Sequence, residues 1–261
     1  MDLGIRGKRA IVTGGGRGLG KSIALNLAKE GAKVCLISRT EEDLVTTLDA
    51  LGGESEGHLA LSHDLTIDGS PEEATKELQD RFGNPDIVIN NLGGTLDIKD
   101  PFCSLEEWRK VWRFNLEVAI ELNNLLIPHM KEQGWGRIVN ISSISSLENQ
   151  GPVTYCSVKA ALTAYSRSMG RVLAPDGIVM TSLLPGAVFT KGGYWDYTSK
   201  NNPDHVKKYL DERMAIKRFG TLDEIGSVAT FLCSEQVSFC VGSSFLVDGG
   251  QGKCFQEHGV L

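Results

Sequence analysis

Hydrophobic positions fall along this chain in short, unbroken bursts separated by helix-length amphipathic stretches. The bursts at 9–12, 33–38, 59–62, 86–90, 137–141, 178–184 and 244–247 are rich in branched aliphatic residues and barely alternate with polar ones. An alternating strand has one wet face, whereas a continuously apolar one is covered on both, the pattern of a parallel sheet between helix layers. Between the first two bursts, Ile23, Ala24, Leu27 and Ala28 share one helical face, and Gly31 ends the segment. A second helix is predicted over 153–173, its stripe being Val158, Ala161, Leu162, Tyr165, Met169 and Val172, with Pro175 just beyond. This β-α alternation predicts right-handed crossovers and an α/β fold. The expected architecture is a doubly wound, mostly parallel seven-stranded sheet with helices on both faces, a single Rossmann-type domain over 1–261.

From 189 to 214 the sheet pattern lapses into polar and aromatic residues, which predicts an irregular substrate-loop or lid insertion. A length of 261 residues suffices for one large domain. A net charge of −6 argues against a nucleic-acid partner, which needs a basic field. No apolar run approaches the roughly 20 residues of a membrane span, so no membrane partner is expected. The six cysteines are scattered without a Cys-x-x-Cys pair and the five histidines do not cluster, so neither a disulfide framework nor a metal site is predicted. The expected setting is a reducing, cytoplasmic one.

The first burst runs into Thr13-Gly14-Gly15-Gly16-Arg17-Gly18-Leu19-Gly20. Glycines let backbone approach a pyrophosphate, and the following helix offers free N–H groups and the positive end of its dipole. A simple tight turn would also use glycines; a strand before and an apolar-striped helix after favour nucleotide binding. At the end of the second burst an NAD site carries an acidic residue for the ribose. Here Ser38 and Arg39 stand instead, with Arg17 inside the glycine turn. Two guanidiniums would pair with a 2′-phosphate, which points to NADP(H), with NAD(H) second.

Further on, Tyr155 and Lys159 lie one helical turn apart. A phenol titrates near 10, and a neighbouring positive charge is expected to draw it down into use as a general acid or base.

With these motifs in this order, the chain resembles the classical short-chain dehydrogenase/reductase family over essentially its whole length. The glycine turn matches that family's pattern at Thr13, Gly14, Gly18 and Gly20, and Gly16, Arg17 and Leu19 fall within it. The resemblance implies adenine contact at Asp64 and Leu65, cofactor contacts at Asn91 and Gly93 of Asn90-Asn91-Leu92-Gly93, and a grip on the nicotinamide carboxamide by Pro185, Gly186, Val188 and Thr190. It also implies a catalytic set of Asn115, Ser143, Tyr155 and Lys159. Tyr155 would be the proton donor, Ser143 the carbonyl hydrogen-bond donor, Lys159 a second contact to the nicotinamide ribose, and Asn115 the holder of a proton-relay water. Three departures stand out: Ser143 lies twelve residues before Tyr155, one fewer than in many members, which raises Ser142 as its rival; Leu92 replaces the usual alanine; and Val118 replaces a frequent glycine.

The implied activity is NADPH-linked reduction of a small-molecule ketone to a secondary alcohol, or the reverse. Alternatives are a nucleotide-dependent epimerase or dehydratase, or a catalytically silent NADP sensor. Substrate contacts are expected from Gly94, Ser145, Leu147, Gln150 and Trp195, the last in an aromatic run at 194–197 that suits a ligand, a lid or a subunit contact. The family also implies a homotetramer or homodimer, with Phe255, Val260 and Leu261 able to dock on a neighbour or fray.

Overall fold

Strands β1 (Arg9–Thr13), β2 (Lys33–Ser38), β3 (Leu59–Ser62), β4 (Ile87–Asn90), β5 (Gly136–Ile141), β6 (Ile178–Pro185) and β7 (Ser244–Val247) form one sheet in the order β3-β2-β1-β4-β5-β6-β7. Every neighbouring pair is parallel. The structure, a computed structural model, describes residues 1–253, so Phe255, Val260 and Leu261 lie outside the described residues.

The helices are α1 (Gly18–Lys29), α2 (Glu41–Leu51), α3 (Ser70–Arg81), α4 (Leu105–Trp112), α5 (Val118–Gln133), α6 (Val153–Leu173), α7 (Tyr194–Asn201), α8 (Pro203–Arg213) and α9 (Leu222–Phe231). Their starts are written in local chemistry. Glu41, Glu42 and Asp43 crowd the first turn of α2, where the helix dipole favours negative charge. Capping boxes Ser104–Glu107 and Thr221–Glu224 open α4 and α9.

Along β1, Ala10 and Val12 point into a core shared with α1, α2 and α9, while Ile11 points into a second core shared with α3, α5 and α6. Both faces are therefore covered, as the unbroken apolar bursts require. Chain order reverses between β1 and β4, which opens a crevice at the carboxyl ends of these strands.

Beneath that crevice runs a polar seam. Asn90 and Asn140 are paired across β4 and β5, and Asn90 Nδ2 donates to Asn140 Oδ1 at 2.8 Å and to Asn123 Oδ1 of α5 at 3.0 Å. Asn140 passes the chain to Ser166 Oγ at 2.8 Å, and Asn123 to the Tyr165 hydroxyl at 3.1 Å.

Two expectations need correction. Val172 is 60% exposed, whereas Leu173 is buried. The inner face of α6 runs through Val158, Leu162, Ser166, Gly170 and Leu173 because the helix lies close on its neighbours: a Cβ at Gly170 would sit 2.7 Å from Gly242 N. The 189–214 stretch is also mostly helical rather than irregular. Asn202 caps α8 by accepting from His205 N at 3.1 Å, with Pro203 at its first position. Trp195 packs its ring on Tyr209 at 4.3 Å and Phe219 at 4.6 Å and so joins α7 to α8, whereas Tyr194 and Tyr197 of the same run are exposed.

Candidate active site

The glycine turn closes tightly on itself. A Cβ at Gly20 would stand 2.2 Å from Gly14 O, so the first turn of α1 can lie against the turn only without a side chain there. The result is a 470 Å³ cavity lined by Gly14, Arg17, Gly18, Leu19 and Gly20 on one side and by Ser38, Arg39, Asp64 and Leu65 on the other. A 350 Å³ cavity adjoins it, and Leu19, Asn91, Gly93 and Thr190 line both. The inner cavity reaches Ser143, Tyr155, Lys159, Pro185, Gly186, Val188 and Trp195.

Thr13 and Gly16 line neither cavity; they build the turn. Thr13 Oγ1 donates to Ile89 O at 3.3 Å and accepts from Asn91 N and Leu92 N, each at 3.0 Å. Gly16 O accepts from Thr47 Oγ1 at 2.6 Å.

The arginines at the outer cavity are exposed and each faces a carboxylate: Arg17 Nε to Asp43 at 3.8 Å, Arg39 NH1 to Asp64 at 3.8 Å. Asp43, from the first turn of α2, was not singled out in the sequence, because its approach depends on how α2 packs after β2. Burial alone would raise the Asp64 pKa. Hydrogen bonds from Thr66 Oγ1 at 2.6 Å and Thr66 N at 3.0 Å, with Arg39 nearby, outweigh it and hold the group below its ordinary value.

Around Tyr155, burial is the dominant force. It pushes the phenol up to about 12, against a lowering hydrogen bond from Ser143. The same desolvation pulls Lys159 down to about 7. Lys159 Nζ lies 5.6 Å from the Tyr155 ring centroid and donates to Ile141 O at 2.9 Å. The expected lowering of the phenol by the lysine charge is therefore corrected: in this site burial disfavours both charges, and it is the serine that lowers the phenol.

Ser142 and Ser143 part company. Ser142 Oγ turns into α6, donating to Lys159 O at 3.0 Å and sharing a hydrogen with Thr163 Oγ1 at 2.8 Å. Ser143 Oγ faces Tyr155 and bonds Ser145 Oγ at 3.1 Å, and Ser145 in turn donates to Gln150 O at 2.6 Å.

Asn115 sits in a π-helical turn, Arg113–Glu117, between α4 and α5. Its amide is committed to backbone: Oδ1 accepts from Gly94 N, and Nδ2 donates to Gly94 O and Val111 O, all at 2.9 Å. Gly94, expected on the substrate wall, thus has both its backbone polar groups held by Asn115. Gly93 lets these groups converge, since a Cβ there would be 2.6 Å from Asn115 Oδ1 and 2.9 Å from Lys159 Nζ. Of the other expected substrate contacts, Trp195 lines the inner cavity, Leu147 is 44% exposed, and Gln150 points to Gln251.

A family model described as enoyl-(acyl carrier protein) reductase matches residues 14–251. The chain belongs to the short-chain dehydrogenase/reductase family. Among relatives in this family, it is 31% identical over 253 residues to the 3-oxoacyl-[acyl-carrier-protein] reductase FabG of Aquifex aeolicus, covering 96% of this chain and 99% of that protein. FabG of Vibrio cholerae is 32% identical over 249 residues, covering 95% and 98%. The structure is also similar to that of L-sorbose reductase from Gluconobacter frateurii, solved with NADPH and L-sorbose, at a TM-score of 0.89 and 30% identity over 96% of this chain and 98% of that one.

Residues of the site that the sequence did not mark include Ala187, Thr40, His63, Phe114 and Leu222. These reach the crevice through packing. Lys191, Gly192 and Gly193, which also line the outer cavity, fall within the 189–214 segment expected as a substrate loop. Among the described residues no helix is long and apolar enough to cross a membrane, and no three His, Cys, Asp or Glu side chains group as metal ligands.

Proposed function

We propose that this protein reduces a small-molecule ketone to a secondary alcohol with NADPH, Tyr155 acting as the general acid. The observation that carries this is the meeting of Ser143, Tyr155 and Lys159 in an inner cavity that shares Gly93 and Thr190 with the nucleotide crevice. The crevice suits a dinucleotide phosphate. Arg17 at the N-cap of α1 makes no side-chain cap, and the helix's first turn holds no acidic residue, so its N–H groups and positive dipole end are open to an anion. Arg17 and Arg39, 84% and 65% exposed in their side chains, line the same crevice and fit a 2′-phosphate.

When bound, NADPH supplies the hydride. Ser143 Oγ hydrogen-bonds the substrate carbonyl oxygen, an oxyanion-type contact worth roughly 2.7–4 kcal/mol. Tyr155, held protonated by burial, gives its proton to that oxygen as it gains charge. The phenolate left behind regains its proton from solvent, Lys159 stands beside the ring with its Nζ donating to Ile141 O, and Asn115 holds the 93–94 backbone in place.

Several finer points belong to the same reading. The 189–214 segment serves as a lid on the substrate, supported by Trp195 on the cavity wall. The chain works as one domain in the cytoplasm, supported by its continuous sheet and its free cysteines Cys35, Cys103, Cys156, Cys233 and Cys240. It assembles as a homotetramer or homodimer, supported by Leu246 on the edge strand β7 and by exposed Phe239 and Phe231. The similarity to an L-sorbose reductase and to 3-oxoacyl-carrier-protein reductases frames the substrate test.

That test is NADPH oxidation with L-sorbose and with a 3-oxoacyl thioester, alongside NADPH and NADH titrations by cofactor fluorescence. Tyr155→Phe should bind NADPH as before and lose turnover. Activity above a few per cent in that variant would remove Tyr155 as the acid.

A further inference from the structure

We infer that Gln251 is a positioning residue that ties α8 and the loop before α6 to the turn after β6, and so fixes the substrate-side wall. The inference rests on the reading above, in which those segments surround the ketone. Gln251 follows the Asp248-Gly249-Gly250 turn and is 2% exposed. A buried amide is costly unless all its groups are used. Here its Oε1 accepts from Ala187 N at 2.7 Å, and its Nε2 donates to Tyr209 OH at 2.7 Å and to Gln150 Oε1.

The polarity of this chain of bonds is fixed from both ends. A backbone N–H only donates, so Oε1 of Gln251 must face Ala187 and Nε2 must face Tyr209 and Gln150. At the far end, Gln150 Nε2 donates to Glu148 Oε2 at 2.7 Å, and a carboxylate only accepts. One orientation of both amides satisfies every partner. The backbone that presents Gln251 is also held, since Asp248 Oδ1 accepts from Gly250 N at 2.9 Å and Oδ2 from Gly252 N at 2.7 Å. Gly186 makes room for it: a Cβ there would lie 2.8 Å from Gln251 Oε1.

Each tied segment touches the reaction space. Ala187 lines the inner cavity beside Tyr155. Gln150 O accepts from Ser145 Oγ, the hydroxyl bonded to Ser143. Tyr209 packs on Trp195, which lines the same cavity. The three partners lie 64, 42 and 101 residues away in sequence, so one buried side chain joins three segments that are remote along the chain.

Hydrogen exchange read by mass spectrometry on the full chain, with and without saturating NADPH, tests this in Gln251→Met and Tyr209→Phe. The methionine keeps the size of the side chain and removes the acceptor for Ala187 N and the donor to Tyr209 and Gln150 together; the phenylalanine removes only the α8 end. Both should speed exchange across 194–213 by about tenfold (about 1.4 kcal/mol) and leave α1 and the second half of α6 unchanged. Wild-type exchange across 194–213 in both variants would overturn the proposal, as would an equal rise in every helix, the mark of general destabilisation. The cofactor-free comparison stands even if NADPH fails to bind, so failure of the tie and failure of the reductase reading are separate results.

Discussion

Replacing Asn115 by alanine separates a structural role from a proton-relay role. The side chain is 1% exposed and makes three hydrogen bonds, two to Gly94 and one to Val111 O. Alanine leaves all three backbone groups without their partner. Gly94 is only part-buried and can recover water, which places each loss near the low end of the range for unsatisfied groups, about 1 kcal/mol each and about 3 kcal/mol together. For a chain of this size that corresponds to a fall in Tm of about 6–12 °C. Asn115→Asp keeps the acceptor for Gly94 N but turns a second oxygen on Gly94 O and Val111 O, so it should be at least as destabilised. Urea unfolding followed by far-UV circular dichroism measures the change, and repeating it with NADPH reads whether the 93–94 backbone still closes the crevice. A midpoint shift worth less than about 1 kcal/mol would refute the structural role and return Asn115 to the water-holding one that the family resemblance implies.

Lys159 makes folding stability pH-dependent. Its folded pKa of about 7 lies below its ordinary 10.5, so between those values the unfolded chain binds more protons and stability rises with pH. Lys159→Met should therefore melt above wild type near pH 6, with the gap closing toward pH 10; thermal melts across that range show it, and a constant gap would sink the idea. Tyr155, raised to about 12, stays protonated through neutrality, so ketone reduction should show no tyrosine-linked fall between pH 6 and 9, while alcohol oxidation climbs with pH; initial rates in both directions decide. Gly93→Ala forces a Cβ against Asn115 Oδ1 and Lys159 Nζ and should weaken NADPH at least tenfold by fluorescence titration. Leu173→Ala should cost about 2–5 kcal/mol in urea unfolding, whereas exposed Val172→Ala should cost under about 0.5 kcal/mol.

The sheet was legible because its strands are buried on both faces, and a run such as Ile87 to Ile89 admits no other reading once helices alternate with it. The glycine turn and the Tyr155–Lys159 spacing were legible because their chemistry is local. What escaped was non-local or depended on dielectric. Asp43 reaches Arg17 only through the packing of α2, and Gln251 reaches Gln150 across 101 residues. The direction of the Tyr155 shift was misjudged because a spacing reports proximity of charge and says nothing of desolvation. Val172 was assigned inward by an even helical stripe, yet close contact at Gly170 rotates the buried face toward Ser166 and Leu173.

The π-helical turn at Arg113–Glu117 has a consequence for which length changes the chain can absorb. An α-helix advances about 100° per residue, so one extra residue in a turn rotates the helix after it, relative to the helix before it, by roughly that angle. In this way α4 aims Val111 at the cluster with Val158 and Leu162 of α6, while α5 aims Leu122 and Leu126 at the neighbouring core under the sheet, along one nearly continuous rod. A single-residue deletion between 113 and 117 would erase the offset and swing one of the two faces into solvent. A deletion in the exposed 96–103 loop would leave both faces aimed as they are. Drift in length should therefore accumulate before α4 and be rejected within the turn that carries Asn115.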